Sequence, residues 1–321
     1  MDTIYYLIQK MLPVAIPLLL VALGGMFSER SGIINIALEG IMLFGAYFGV
    51  LFIYFTQASS MNPQIIFLIG MIVAMISGLV YSLLLAFGSI NMKANQVIVG
   101  TAMNMFIPAV VLLFSKMFFS SDGITTNIIL YINEVPILSQ IPILGDILFK
   151  NTYLTVYIGL ILLVVLTILL YKTKFGLRLR ACGEHPHAAD SVGINVYKMR
   201  YFGVMLSGAL AGIGGFFYSV GITDANVSGH SGVAGFGFLA LAVMIFGQWK
   251  PIRIFFAALL FAFLRALAYS IPLIPFLDNL GLDQTFYKIL PYLATLIVLI
   301  FTSKKSRAPK AEGIPYDKAL R

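Results

Sequence analysis

Residues 172–200, Lys-Thr-Lys-Phe-Gly-Leu-Arg-Leu-Arg-Ala-Cys-Gly-Glu-His-Pro-His-Ala-Ala-Asp-Ser-Val-Gly-Ile-Asn-Val-Tyr-Lys-Met-Arg, form a charged, helix-forming island between long apolar runs. Six basic residues flank it: Lys172, Lys174, Arg178, Arg180, Lys198 and Arg200. In a membrane chain such clusters stay on the cytoplasmic side. Between them, 184–194 has the length for about three turns of helix along the membrane surface. A helix held there between spans gives a cytoplasmic partner something to push. That is the build expected of a transporter powered from outside its own chain.

The rest of the sequence supports a membrane setting. Hydrophobic residues make up 60% of the 321 and charged residues only 11%, whereas soluble domains carry about a quarter charged. The length allows roughly eight to ten spans of about 20 residues. Apolar runs fall at 7–27, 33–55, 65–87, 97–119, 153–171, 201–220, 233–247, 252–271 and 286–301. These predict an all-α, polytopic integral membrane protein of about nine spans. The permease domain is 1–302, and 303–321 is a basic cytoplasmic tail.

Basic residues orient the spans. With 172–200 and the tail inside, 16 of the 21 Lys and Arg are cytoplasmic, one is buried and four lie outside. The net charge of +8 is thus a topological bias, not a sign of nucleic-acid binding. This places the amino terminus and the 120–151 loop outside, and Lys93, Lys250 and Arg253 inside. The 120–151 loop, with Asp122, Glu134, Pro136, Pro142 and Asp146, is expected to be structured and extracellular. The 233–247 run is short, and a re-entrant segment is its alternative. No basic region precedes the first apolar run, which reads as a retained span and not a removed signal. Cys182 is the single cysteine, so neither an internal disulfide nor a Cys-based metal site is expected. His185 and His187 have no supporting cluster for a metal.

Several polar residues fall inside apolar sequence. Ser28-Glu-Arg-Ser-Gly-Ile-Ile-Asn-Ile-Ala-Leu-Glu-Gly40 interrupts the first two runs, and its glycines allow a broken helix. Unwound backbone at membrane depth is tolerated only where protein buries it or it lines a cavity. An intramembrane carboxylate costs roughly 2.5 kcal/mol or more, so Glu39 is expected to be paired or protonated. It either pairs with Arg30 or Arg265 or, with Asn35, lines the substrate path. Arg265 serves a helix–helix ion pair or a polar path wall. Asn95, Gln96 and Asn104 are either interhelical hydrogen-bond partners or path residues. Ser207, Gly208, Ala211, Gly212 and Gly215 predict close helix approach on one face. No phosphate-binding Gly-x-x-x-x-Gly-Lys-Ser/Thr loop is present, so ATP hydrolysis by that route is excluded.

Ser31-Gly-Ile-Ile-Asn-Ile-Ala-Leu-Glu-Gly-Ile-Met-Leu-Phe-Gly-Ala46 resembles the first signature of bacterial ABC importer permeases, which include ribose and branched-chain amino-acid transporters. Gly183-Glu-His-Pro-His-Ala-Ala-Asp-Ser-Val-Gly-Ile-Asn195 resembles their coupling segment, where Gly-Glu-Asn-Pro, Ala-Ala and Ala-Gly-Ile are usual. His185 replaces the usual Asn, and Ser191-Val192 stand where Ala is common. The chain is most similar to the smaller permease subunit of nucleoside (guanosine-type) importers. The resemblance covers roughly 10–302 and implies a non-catalytic bacterial plasma-membrane subunit, multi-pass, with a cytoplasmic carboxy terminus.

It further implies that an ATPase subunit with tandem domains binds ATP and Mg and grips Gly183, Glu184, His185, Pro186, Ala188, Ala189, Gly193 and Ile194. A longer permease paralogue, an extracellular substrate-binding lipoprotein and membrane lipid complete the assembly; the chain itself binds no cofactor. A sugar or branched-chain amino-acid permease is the nearest alternative. An ATP-independent secondary transporter is a further one.

Overall fold

The computed structural model describes residues 2–135, 149–230, 232–270 and 308–318, with single positions at 139, 141, 145, 289 and 293. The expected span at 286–301, tail residues 303–307, and Pro136, Pro142 and Asp146 lie outside the described residues. The helices are α1 (Asp2–Arg30), α2 (Leu38–Thr56), α3 (Pro63–Ala86), α4 (Gln96–Phe119), α5 (Leu154–Lys172), α6 (Lys174–Glu184), α7 (Pro186–Ser191), α8 (Val196–Ile222), α9 (Phe236–Phe246) and α10 (Pro251–Ser270). A π-helical turn, Phe87–Asn91, continues α3. Among the described residues, six helical stretches are long and apolar enough to cross a membrane: those of α1 to α5, with the π turn included in α3, and that of α8.

Caps set several of these boundaries. The Asn62 side chain accepts from Gln64 N–H at 2.9 Å ahead of Pro63. Asn95 does the same for Val97 at 2.9 Å, and Asn195 for Lys198 at 3.0 Å. Each satisfies an amide that a helix start leaves without a partner.

The core forms around α1 and α8. The small residues of α8 let its neighbours approach closely. A Cβ at Gly78 of α3 would lie 2.8 Å from Gly212 Cα, so only hydrogen fits between the two backbones. Phe216 and Phe217 then fill the space against Phe67 of α3, with ring centroids 5.4 and 5.8 Å away. This packing bears out the close-approach stripe.

The chain has two distinct ends. At one, β1 (Gly123–Ile124) pairs antiparallel with β4 (Val227–Ser228), and β2 (Tyr131–Glu134) with β3 (Lys150–Tyr153). The 120–151 segment thus adds strands to a chain expected to be all-α. At the other end Lys93, α6, α7, Trp249 and residues 308–318 gather. Lys93 Nζ reaches Asp317 at 2.5 Å, and Ala311 N–H donates to Gly183 carbonyl at 2.9 Å.

Two expected helices differ. Helix α9 has 11 residues, about 16 Å of rise and half of what a span requires. Its chain enters from the β end through turns, with positive φ at Gly232, Ala234 and Gly235, becomes helical at Phe236, and ends beside the basic end at Trp249. The 184–194 stretch is not one helix. His185, at φ −145° and ψ 84°, separates α6 from the six-residue α7, because a residue before proline is driven out of the α region.

Candidate functional site

The interruption read between the first two apolar runs is real. Between Arg30 and Leu38 the chain is unwound and climbs beside α4. Ile34 N–H donates to Gln96 Oε1 at 2.7 Å. Asn104 Nδ2 donates to Ile36 carbonyl, and its Oδ1 accepts from Gly40 N–H, both at 2.7 Å. Gln96 and Asn104 are eight residues apart on α4, so this climb covers about 12 Å. Asn35 is fully buried and donates to Ser207 Oγ of α8 at 2.9 Å. Backbone groups that a continuous helix would have satisfied are taken up by the Gln96 and Asn104 side chains of α4, as burial requires.

The second break meets the first. Glu39, at the start of α2, accepts from Gly235 N–H at 2.9 Å and Gly237 N–H at 2.6 Å. These amides open α9, where the helix dipole favours negative charge. A Cβ at Gly237 would lie 2.8 Å from Glu39 Oε2, so glycine is what admits the carboxylate. Arg265 of α10 stacks over the Phe236 ring, its guanidinium carbon 4.3 Å from the centroid, and acts electrostatically on Glu39.

Arg30 is not the partner of Glu39. Its guanidinium pairs with Glu184 at 3.5 Å and donates to Trp249 carbonyl at 3.2 Å. Asn35, Glu39, Gln96, Asn104 and Arg265 thus meet around two broken helices, while Asn95 caps α4 beside them.

At the basic end the 183–194 segment is fastened to the bundle on one side and open on the other. Gly183 and Ala189 are buried, Glu184, Pro186 and Ile194 half-buried, and His185, Ala188 and Gly193 exposed. Gly193 has φ +84° and open space around it, so glycine is there for its backbone freedom. Val192 is 74% exposed beside it.

The fastening uses residues that sequence reading passed over. Trp249 Nε1 donates to buried Glu29 Oε2 at 2.5 Å. Glu29 shares a side-chain hydrogen bond with Glu312. Burial pushes the Glu312 carboxyl up to about 7, against the downward pull of the Glu29 hydrogen bond and the Arg30 charge.

Arg200, read as part of the exposed island, is 1% exposed. It donates to Ile314 carbonyl at 3.0 Å and lies 6.0 Å from the Tyr316 ring centroid. Gly32, at φ +97°, leaves room for it: a Cβ there would sit 2.9 Å from Arg200 Nη2. Tyr316 also packs on His187 and Tyr197, with centroids at 5.1 and 5.3 Å. The one usable sequence signal was the lone tryptophan, Trp249, beside basic residues.

A bundle of apolar helices with two breaks meeting inside it, and a partly exposed segment tied to one of them, is the architecture of a membrane transport subunit. Residues 7–299 match the family described as branched-chain amino acid transport system / permease component, and the chain belongs to that family as a multi-pass membrane protein. It is 39% identical to a nucleoside ABC transporter permease protein, NupC, of Lactococcus lactis subsp. cremoris, over 99% of this chain and 98% of that one. It is 40% identical to the guanosine ABC transporter permease protein NupQ of Bacillus subtilis, over 96% of this chain and 95% of that one. A second Lactococcus nucleoside permease, NupB, is 26% identical over 95% of this chain and 82% of its own length. No solved structure matches the chain at a significant level.

Proposed function

We propose that this chain is a permease subunit of an ATP-driven bacterial importer of nucleosides, itself without catalytic activity. One observation carries the coupling part of this reading: the surface segment and the mid-depth break share α1. Glu184 pairs with Arg30, the last residue of α1, and the unwound segment begins directly beyond it. A push on 183–194 is therefore a push on the backbone that leads to Asn35 and Glu39. Packed bundles answer such pushes by switching between discrete arrangements.

In this reading the exposed face of His185, Ala188, Val192 and Gly193 docks in a groove of a separate, tandem-domain ATPase, which binds ATP and Mg. Carboxy terminus, 172–200 and Lys93 are cytoplasmic, the β end is extracellular, and the chain makes about nine crossings, with α9 and the turns that lead into it as one of them. A longer permease paralogue completes the pathway, and a lipoprotein delivers substrate at the β end. The identity to NupC and NupQ over nearly whole chains supports nucleosides as cargo.

Simple sugars are the second reading, supported by 31% identity to a putative glucose permease, TsgC13, of Haloferax volcanii over 92% of this chain. The test is uptake by the assembled importer in liposomes. ATP-dependent accumulation of labelled guanosine, with ribose and glucose excluded, is the expected result. Accumulation of sugar without nucleoside would overturn the substrate, and uptake independent of ATP would overturn the class.

A further inference from the structure

Between α2 and α4 lies a cleft of about 780 Å³, within the range of small-molecule sites, roughly 300–1,000 Å³. Eight of its eleven lining residues are aromatic, in a chain that is 13% aromatic. The exposed rows Ile72, Ile76 and Val80 on α3 and Ile161, Val165 and Ile168 on α5 are aliphatic, and exposed rings such as Phe106, Phe202 and Phe256 lie outside the cleft. The cleft is the place where eight rings line one concave surface.

The rings are graded from closed to open. At the floor Phe44 stacks on Tyr81 at 4.8 Å and 24°, and Tyr81 hydroxyl donates to Met103 carbonyl at 2.9 Å. That floor is one helical turn from the clamp of Asn104 on Gly40. Phe48, Phe114 and Phe118 present 36%, 44% and 67% of their surface to the cleft and its mouth. Tyr54 meets Phe119 at 4.9 Å near the outer end. From Phe44 to Phe55 the cleft follows α2 for 11 residues, about 17 Å. It thus runs from the β end to the mid-depth break. Tyr47 and Tyr54 carry the only side-chain polar atoms among its lining residues.

We propose that this cleft is a nucleobase-binding site on the transport path, in which the flat base stacks between Phe48 of α2 and the Phe114–Phe118 pair of α4. The proposal rests on the nucleoside reading above and localises it. A base offers two apolar faces and a polar edge. The rings cover the faces, and the hydroxyls of Tyr47 and Tyr54 meet the edge or the ribose. Stacking tolerates different bases because each has a π face, so the site selects nucleosides over sugars without choosing strongly among nucleosides.

The experiment uses the assembled importer in nanodiscs and liposomes, with guanosine and ribose as probes. Wild-type uptake of guanosine is measured first; if that fails, the nucleoside reading falls and not this site. Phe48→Leu with Phe114→Leu keeps apolar bulk and removes stacking. It is expected to slow guanosine uptake about ten-fold or more, in line with the strength of base–aromatic stacking, while ATP hydrolysis continues. Phe48→Tyr with Phe114→Tyr restores uptake. In Phe118→Trp, guanosine quenches the new fluorescence over the Trp249 background, and ribose does not. Wild-type uptake by the leucine pair, or no quenching at guanosine concentrations that support transport, would overturn the proposal and leave the cleft to lipid.

Discussion

The Glu39 carboxylate bridges the amides of Gly235 and Gly237, so the starts of α2 and α9 are joined by one side chain. Neither helix starts where a continuous span would. Each leaves amides at its amino terminus that no backbone carbonyl can reach, and Glu39 satisfies two of those belonging to α9. A charge that is costly in hydrocarbon is held by a helix dipole, two hydrogen bonds and the nearby Arg265.

Replacing this carboxylate should therefore loosen the junction. Glu39→Gln keeps one acceptor and loses the charge, and Glu39→Ala leaves both amides unmet. Thermal unfolding in detergent should show Ala as the more damaging, with a loss of about 1–3 kcal/mol for an unsatisfied buried group. Equal stability of Ala and wild type would mean that Glu39 lines a path without holding α9.

Gly193 offers a test of the surface segment. Its positive φ is forbidden to proline, while nothing packs around it. Gly193→Pro should fold and insert but co-purify poorly with the ATPase subunit, and uptake should fall with it. Normal co-purification and uptake would remove 183–194 from the docking role.

The carboxy-terminal segment should respond to pH. Glu312 has its carboxyl raised from 4.5 to about 7 by burial. The docked state binds more protons than the free one between those values. Docking is therefore strongest at the acid side and weakens as pH rises from about 4.5 to 7. Protection of the amides at 308–318, measured against their intrinsic exchange rates, should fall over that window, and Glu312→Gln should flatten the fall. Protection independent of pH in wild type would contradict the buried carboxyl pair.

Orientation can be read by labelling. Cys182 is buried and its thiol is pushed up to about 11 by that burial, so it contributes little background. Ser121→Cys at the β end should react with impermeant maleimide on intact cells, and Val192→Cys should react only after permeabilisation. The reverse pattern would invert the topology.

Much of this was legible from residues, because apolar runs, caps and charge bias act locally. The stretch Ser28–Gly40 carried its break in its glycines and polar residues, and the α8 stripe carried its packing in its spacing. What the sequence hid was set by tertiary contact. Arg200 looks like one more basic residue of the island, yet the docked Ile314 and Tyr316 bury it. Glu39 had candidate partners in two arginines, but its hydrogen bonds come from backbone amides nearly 200 positions away, which no pattern of side chains announces. The run at 233–247 is uniformly apolar, and composition alone does not reveal that its first residues form turns and the helix starts only at Phe236. The strands at 131–134 and 150–153 pair across a long insertion, so short polar-apolar alternation gave too little signal.

The central claim is that movement of the surface segment reaches the mid-depth break through α1, and Arg30 is the joint. Arg30→Gln removes the ion pair with Glu184 and leaves the docking face intact. The decisive measurement is nucleoside imported per ATP hydrolysed by the reconstituted importer. The account predicts that this ratio falls several-fold in Arg30→Gln while ATP hydrolysis persists. An unchanged ratio, at normal assembly, would contradict it.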